Sequence, residues 1–264
     1  MYDFANKISA AGIGQTHLFS VGQAGYIIKS SGGQLLGIDL YLSDCVERAE
    51  GHIGYKRLLP KILDPGELDF EGIIATHPHP DHFDIDAVPE LMGNGNSRTR
   101  LFASMGCDKL VKQTQMEYFQ DRITYVKADE TYRVGDFKIS FVNCDHGAGT
   151  PDAVGVIVEV DGKRIYEVGD TCLHLEWVNE IKAAGKPDVL ILPINGAYGN
   201  LNEDEAAELS NELKPRLTIP CHYGMFASHG GDPGKFLNVM TKKYWELPVL
   251  LMTQGEHLVI EERL

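Results

Sequence analysis

The stretch T-H-P-H-P-D-H-F-D at positions 76–84 restricts this chain's fold more than any other. It follows a short apolar run, Gly72 to Ala75, that reads as a β-strand. Pro78 and Pro80 keep the loop out of helical geometry. A strand therefore ends here and passes into a stiff turn carrying His77, His79, Asp81 and His82. Imidazole nitrogen and carboxylate oxygen suit borderline divalent cations, and three histidines with an aspartate exceed what one open catalytic zinc takes from a protein. The spacing implies a pair of metal ions, with further ligands supplied by other strand ends.

The remainder of the chain is punctuated accordingly. Residues 17–42 read as three short strands broken at Gly22-Gln23 and at Ser31-Gly32-Gly33, the second break being a hairpin cue. A Gly- and Pro-containing segment precedes the strand at 72–75. Leu101–Ala103 reads as a strand, Cys107–Tyr118 as a helix and Thr124–Val126 as a strand. Phe137–Val142, Val154–Val160 and Arg164–Val168 form a β-rich region, the last two joined by Asp161-Gly162. Helix is expected at Glu176–Ala184, strand at Val189–Leu192, and helix at Asn202–Leu213 with Asn202 as cap and acidic Glu203, Asp204 and Glu205 in its first turn. Leu217–Ile219 reads as a strand, Asp232-Pro233 opens a last helix to Tyr244, and two final strands are expected. Without repeats or a linker, this is an α/β chain of two similar halves in one domain, strands inside and helices outside.

Composition narrows the function. Of 264 residues, 38 are acidic and 24 are Lys or Arg, a formal charge of −14. Such an excess repels a polyanionic backbone, so nucleic acid is not an expected partner. The longest apolar runs fall far short of the roughly 20 residues that span a bilayer, and the first residues lack a basic start followed by an apolar stretch. A cytoplasmic protein with no membrane partner is expected. Five cysteines without a C-x-x-C pair point to reduced thiols.

Three residues sit where the missing ligands should lie. His146 follows the strand ending at Val142, Asp170 follows Val168 in E-V-G-D-T, and His222 follows Ile219 in I-P-C-H-Y-G. Two divalent ions about 3.5–4 Å apart share and activate a water for attack, and Asp81 is placed to orient it or relay its proton.

In these segments the sequence resembles the metallo-β-lactamase superfamily, and within it the ascorbate-6-phosphate lactonase-like branch. The matching pieces are V-G-Q-A-G-Y-I-I-K-S (21–30), L-L-G-I-D-L-Y-L-S-D (35–44), A-T-H-P-H-P-D-H-F-D (75–84), C-D-H-G-A-G (144–149), Y-E-V-G-D-T (166–171), N-G-A-Y-G-N-L-N (195–202) and I-P-C-H-Y-G-M-F-A (219–227). The resemblance implies a four-layer αββα sandwich of two mixed sheets, with residues 1–264 forming one hydrolase domain. It implies that His77, His79 and His146 hold one ion, that Asp81, His82 and His222 hold the other, and that Asp170 bridges them. Asp81 and His82 carry the catalytic roles, and Asp39 supports the site from behind. Zn²⁺ and Mn²⁺ both suit these ligands.

Ring nitrogens facing away from the metals are expected to donate to acceptors such as Asp39 or Asp84. His174, Asn195, Tyr198, Asn200, Tyr223 and His229 follow ligands or strand ends and are candidates for substrate contact. Lys56, Arg57 and Lys235 are candidate donors to a substrate phosphate. Cys144, Cys172 and Cys221 lie within two residues of the ligands and are expected to be small buried thiols. The resulting expectation is a metal-dependent hydrolase of a small ester-type substrate, a lactone or an anionic phosphorylated sugar lactone, in a chain compatible with a homo-oligomer. The alternatives are a phosphodiesterase or nuclease of the same superfamily and a non-catalytic metal-binding module.

Overall fold

A computed structural model describes residues 3–93 and 98–262. The first sheet contains β1 (His17–Gly22), β2 (Gly25–Lys29), β3 (Leu35–Ile38), β4 (Gly72–Ala75), β5 (Arg100–Ser104) and β6 (Ile123–Val126). The second contains β7 (Thr131–Val134), β8 (Phe137–Asn143), β9 (Val154–Val160), β10 (Lys163–Glu167), β11 (Val189–Pro193) and β12 (Leu217–Cys221). A final strand, β13 (His257–Val259), returns to pair antiparallel with β1, giving the orders β13-β1-β2-β3-β4-β5-β6 and β12-β11-β10-β9-β8-β7. Both sheets are mixed. β1 to β3 are antiparallel and β3 to β6 parallel, while β7 to β10 are antiparallel and β10 to β12 parallel.

Alternation explains the layers. Leu18, Tyr26, Ile28, Leu36 and Ile38 point from the first sheet into one buried cluster with Phe137, Ile139, Val156, Val158 and Ile191 of the second. The opposite face of the first sheet, including Phe19, Ile27 and Ile73, packs on α1 (Asp3–Ala10), α3 (Ala87–Gly93) and α4 (Asp108–Gln113) through Ile8, Leu91 and Val111; α2 (Cys45–Glu50) adds Cys45 and Val46 to a smaller cluster with Tyr41 and Phe226. The outer face of the second sheet, including Leu190 and Leu192, is covered by α5 (Val178–Ala184), α6 (Glu203–Leu213) and α7 (Pro233–Lys243). The four-layer αββα sandwich expected from sequence is the architecture found.

Several details differ from the expectation. The helix over 107–118 is split: α4 stops at Gln113, Gln115 adopts a positive φ of 57°, and the chain continues as a 3-10 turn from Met116 to Arg122. The edge strand β7 and the helices α1, α2 and α3 were not expected. Among the described residues only one closing strand forms. Residues 247–252 contribute an isolated bridge between Val249 and Thr218, since Pro248 has no N–H to extend a ladder. Asn202 caps α6 as expected, its side chain accepting from Asp204 N and Glu205 N while Glu205 reaches back to Asn202 N at 3.0 Å.

Candidate metal centre

The residues following β3, β4, β8, β10 and β12 meet in one cluster. Three ring nitrogens converge first: His77 Nε2 lies 2.9 Å from His79 Nδ1, which lies 3.1 Å from His146 Nε2. Beside them a second set closes on itself. His222 Nε2 is 3.2 Å from His82 Nε2, 3.4 Å from Asp81 Oδ2 and 3.1 Å from Asp170 Oδ2, and His82 Nε2 is 3.6 Å from Asp81 Oδ2 and 3.5 Å from Asp170 Oδ2. Asp170 Oδ2 also lies 3.7 Å from His146 Nε2, so this one oxygen faces both sets. All seven residues expected as ligands are thus brought together, six of them buried and His79 exposed on the cleft.

These separations test whether a cation fits. Bond lengths of about 2.0–2.1 Å at tetrahedral angles place neighbouring N and O donors about 3.3 Å apart, and the observed edges of 2.9–3.7 Å straddle that value. Electrostatics agrees. Burial, then the neighbouring His82, pushes His77 well below the usual histidine range, and burial likewise lowers His79 and His146, so the first set consists of neutral imidazoles with free lone pairs. In the second set burial disfavours charge but is outweighed. Asp170 and Asp81 raise His82, Asp170 lifts His222 to about 9, and the two histidines hold Asp81 and Asp170 well below the usual carboxylate range. Protons on His82 and His222 supply the positive charge that two buried carboxylates require, the service a divalent cation would render there.

Behind the cluster runs a directional chain of hydrogen bonds. Asp39 is fully buried; its Oδ1 accepts from Thr76 N at 2.8 Å, and its Oδ2 accepts from Thr76 Oγ1 at 2.6 Å and from His82 Nδ1 at 2.7 Å. Thr76 Oγ1 in turn accepts from His77 Nδ1 at 3.1 Å. One carboxylate therefore holds the Nδ1 protons of both His77 and His82 away from the cluster, and where a cation takes the place of the second proton on His82 both rings would present a bare Nε2 to it. Asp84, the other expected acceptor, receives no histidine: its oxygens accept from Leu42 N, Ser43 N, Ser43 Oγ, Asp86 N and Ala87 N, tying the ligand loop to the start of α3.

Three participants carry no signal in sequence. Gln23, at the β1–β2 turn, donates from Nε2 to Asp81 Oδ2 and His229 Nδ1, both at 2.8 Å. Thr76 is the relay just described. Glu167, at the end of β10, is buried with Oε1 accepting from Gly169 N at 3.1 Å; burial, with Asp39 adding to it, raises its carboxyl well above the usual range. Asp39, Gln23 and His222 have positive φ values of 46°, 57° and 63°, backbone strain gathered at one place.

A cleft of about 230 Å³ opens onto the cluster, lined by Val46, Glu50, Tyr55, His79, Pro80, Asp81, Tyr198, Phe226 and His229. The Tyr55 and Tyr198 hydroxyls meet across it. His229 is buried and lowered to about 4 by burial and the neighbouring His222. The other expected substrate contacts lie elsewhere. Tyr223 belongs to a separate pocket with Tyr26 and Met252, and His174 lies beside Trp177 in another. Asn195 and Asn200 are buried and bond each other at 3.1 Å. Nor do the expected phosphate donors reach the cleft: Arg57 bonds Ser43 O and Leu59 O over the Tyr41 ring, Lys235 pairs with Glu203 and Asp204, and Lys56 is not in the lining. A larger depression of about 500 Å³ along β13 contains none of the cluster residues.

Two mixed sheets with helices outside and a His/Asp cluster at their strand ends define a metallo-β-lactamase-type fold. The chain belongs to the beta-lactamase superfamily domain family, which it matches over residues 40–223. Among its relatives is a UPF0173 metal-dependent hydrolase of Cupriavidus taiwanensis, 31% identical over 246 residues that cover 84% of this chain and 79% of that protein. Similar solved structures include Igni18, a metallo hydrolase of Ignicoccus hospitalis (TM-score 0.67, 21% identity, 92% of this chain and 97% of that one). Another is an isothiocyanate hydrolase from Delia radicum gut bacteria (TM-score 0.66, 18% identity, 92% and 98%). No helix among the described residues is long and apolar enough to cross a membrane.

Proposed function

We propose that this protein is a metal-dependent hydrolase of a small, uncharged ester-type substrate, a lactone being the best fit. His77, His79 and His146 would hold one divalent ion, Asp81, His82 and His222 a second, and Asp170 would touch both, with Zn²⁺ or Mn²⁺ as the metal. The observation that carries this is Asp170 Oδ2, within 3.1–3.7 Å of donors from both sets. Bound ions at such a centre supply an activated water and Lewis acidity.

The chain's own groups do the rest. The Asp81 carboxylate, on the cleft wall and fixed by Gln23, takes the proton of the attacking water. The same Gln23 amide donates to His229 Nδ1, leaving His229 with its proton on Nε2 as a neutral donor toward a substrate oxygen. Tyr55, Tyr198, Phe226 and Val46 give the cleft an aromatic and apolar wall that excludes water from the substrate body. With Glu50 at its rim and neither Lys nor Arg in its lining, the cleft favours an unphosphorylated substrate over a phosphorylated sugar lactone or a phosphodiester.

The test is elemental analysis with an activity panel. The wild type should carry at least about two equivalents of metal and His82→Ala about one fewer, with hydrolysis of lactones exceeding that of phosphoesters. A metal-free active enzyme, or a preference for phosphodiesters, would overturn the reading; a fully metallated protein inert toward lactones, thioesters and phosphoesters alike would make it a binding module.

A further inference from the structure

A second convergence of donors lies outside the cleft, where the loop after β8 meets the loop after β10. Asp145 Oδ2 is 2.8 Å from His174 Nε2, Cys172 Sγ is 3.3 Å from the same nitrogen, and Cys172 Sγ is 3.4 Å from Asp145 Oδ2. Three different metal-competent atoms thus form one triangle, which none of the roles above uses.

The surroundings prepare each donor. Asp145 Oδ1 is occupied by Gly147 N at 3.0 Å, which leaves Oδ2 to the triangle. His174 Nδ1 lies 2.6 Å from Glu176 Oε1, so a cation that takes the place of the Nε2 proton would leave the ring donating to Glu176 with its Nε2 lone pair turned inward, the carboxylate–histidine arrangement that orients a metal ligand. The ring is also stacked on Trp177, with centroids 4.0 Å apart and planes at 19°. The backbone is braced: Cys172 N donates to Asp145 O and Asp145 N to Thr171 Oγ1, both at 3.0 Å. Asp145 is 43% exposed at its side chain and His174 24%, so one side is open to water and to an entering ion.

A serine-protease-like role for Cys172-His174-Glu176 fits less well. The nitrogen that would have to accept the thiol proton already faces the Asp145 carboxylate at 2.8 Å, and the imidazole has a carboxylate at each edge. A cation in place of the Nε2 proton would keep the Asp145 contact and take in the Cys172 sulfur as well. Zinc bonds of about 2.0–2.1 Å to N and O and about 2.3 Å to S, at tetrahedral angles, require donor separations of about 3.3–3.6 Å. The two sulfur edges lie within about 0.3 Å of the upper figure, which applies to them, and the Asp145–His174 edge must open by about half an ångström to reach the lower one.

We propose that Asp145, Cys172 and His174 form an additional divalent-metal site, selective for zinc-like borderline ions, with water in the fourth position. On binding, the Cys172 S–H bond breaks, its proton passes to solvent, and the sulfur electron pair forms the S–metal bond. A thiolate in the set favours zinc or cobalt over magnesium or manganese, unlike the all-nitrogen-and-oxygen cluster in the cleft. Asp145 adjoins His146, and Cys172 lies two residues beyond Asp170. An ion here clamps together the two loops that deliver those residues to the cleft.

Cobalt(II) titration of the full chain tests this, because cobalt bound by thiolate absorbs in the near ultraviolet and cobalt bound only by nitrogen and oxygen does not. Wild type should develop that band, Cys172→Ser should lose it together with about one equivalent of bound metal, and Cys144→Ser should keep it. A second measurement needs no variant. In the wild-type protein, zinc at ten times its dissociation constant should slow alkylation of Cys172, mapped by mass spectrometry, about tenfold. No band in wild type, a band that survives Cys172→Ser, or Cys172 alkylation indifferent to zinc would overturn the proposal. Each of these results is read independently of hydrolysis and of metal bound in the cleft.

Discussion

Replacing Asp39 by Asn isolates the part of the centre that the geometry makes most consequential. The side chain keeps its shape, and asparagine tolerates the positive φ of 46° that Asp39 adopts. Only the hydrogen-bond polarity changes. If the new amide oxygen keeps the Thr76 N–H, the NH₂ group points at Thr76 Oγ1 and His82 Nδ1, which now receive donors where they gave them. His82 must then carry its proton on Nε2, and Thr76 Oγ1, turned toward His77 Nδ1, forces the same switch on His77. Both protons land on the atoms that would face the proposed cation. The flipped amide is no better, since it sets NH₂ against the buried Thr76 N–H, at a cost of about 1–3 kcal/mol. Loss of such an orienting partner weakens metal binding about 10–100-fold, which is about 1.4–2.8 kcal/mol. Competition of zinc between the protein and a chromophoric chelator measures this directly. Asp39→Ala provides the contrast. It leaves three donors without their acceptor and suffers at positive φ, so it should lose more thermal stability than Asp39→Asn. Its histidines remain free to choose a tautomer, so it should lose less metal affinity. Asp39→Asn protein that binds zinc within about twofold of wild type would refute the tautomer argument.

Other substitutions probe different links. Glu167→Gln should leave metal content and melting temperature almost unchanged, because burial favours the uncharged acid that Gln resembles and the Oε1 bond to Gly169 N survives; a large loss of metal would refute this. Gly169→Ala should destabilise by about 1–3 kcal/mol in denaturant titration, since φ is +75° and a Cβ would meet Val154 O at 2.9 Å and Cys144 Sγ at 3.0 Å; unchanged stability would mean that the E-V-G-D-T turn relaxes freely. Glu203 joins α6 to α7 by accepting from Asp232 N at 3.0 Å and Lys235 Nζ at 2.7 Å; burial opposes its charge, but Lys235 and these bonds hold its carboxyl below the usual range. A depressed carboxyl stabilises the fold above its unfolded value of about 4.3 and loses that contribution as pH falls through the folded value. Glu203→Gln should therefore cost about 1 kcal/mol at neutral pH, with the gap to wild type closing below about pH 4; a gap independent of pH would rule out this linkage.

The strands were legible where an apolar run met Gly or Pro, as at β1 to β4, β9 and β10. β7 escaped because Thr131 and Arg133 are exposed on a sheet edge and the segment has too little apolar content to stand out. The 247–252 run misled for the opposite reason, being apolar enough for a strand but carrying Pro248 where a ladder needs a donor. The same division runs through the cluster. His77, His79, Asp81 and His82 share one loop, and His146, Asp170 and His222 each follow a strand end, so type and position together mark them. Gln23, Thr76 and Glu167 are ordinary polar residues in sequence, and only the meeting of five loops gives them partners. His174 and Tyr223 failed as cleft residues because following a strand end does not determine which way the chain turns next.

The cluster also has a timetable. His77, His79, Asp81 and His82 lie within six residues of one another, whereas Asp170 and His222 follow β10 and β12 far along the chain. During synthesis a short chelating peptide therefore emerges well before the strands that complete its cage, and any ion it captures then is held by that segment alone. Metal choice at that moment reflects what the surrounding solution offers, and the finished pair of donor sets comes into being only when the last parallel strand of the second sheet docks. If these seven side chains hold the metals as proposed, ions supplied during refolding and ions added to the folded apoprotein would reach them by different routes, and the two preparations need not carry the same metals.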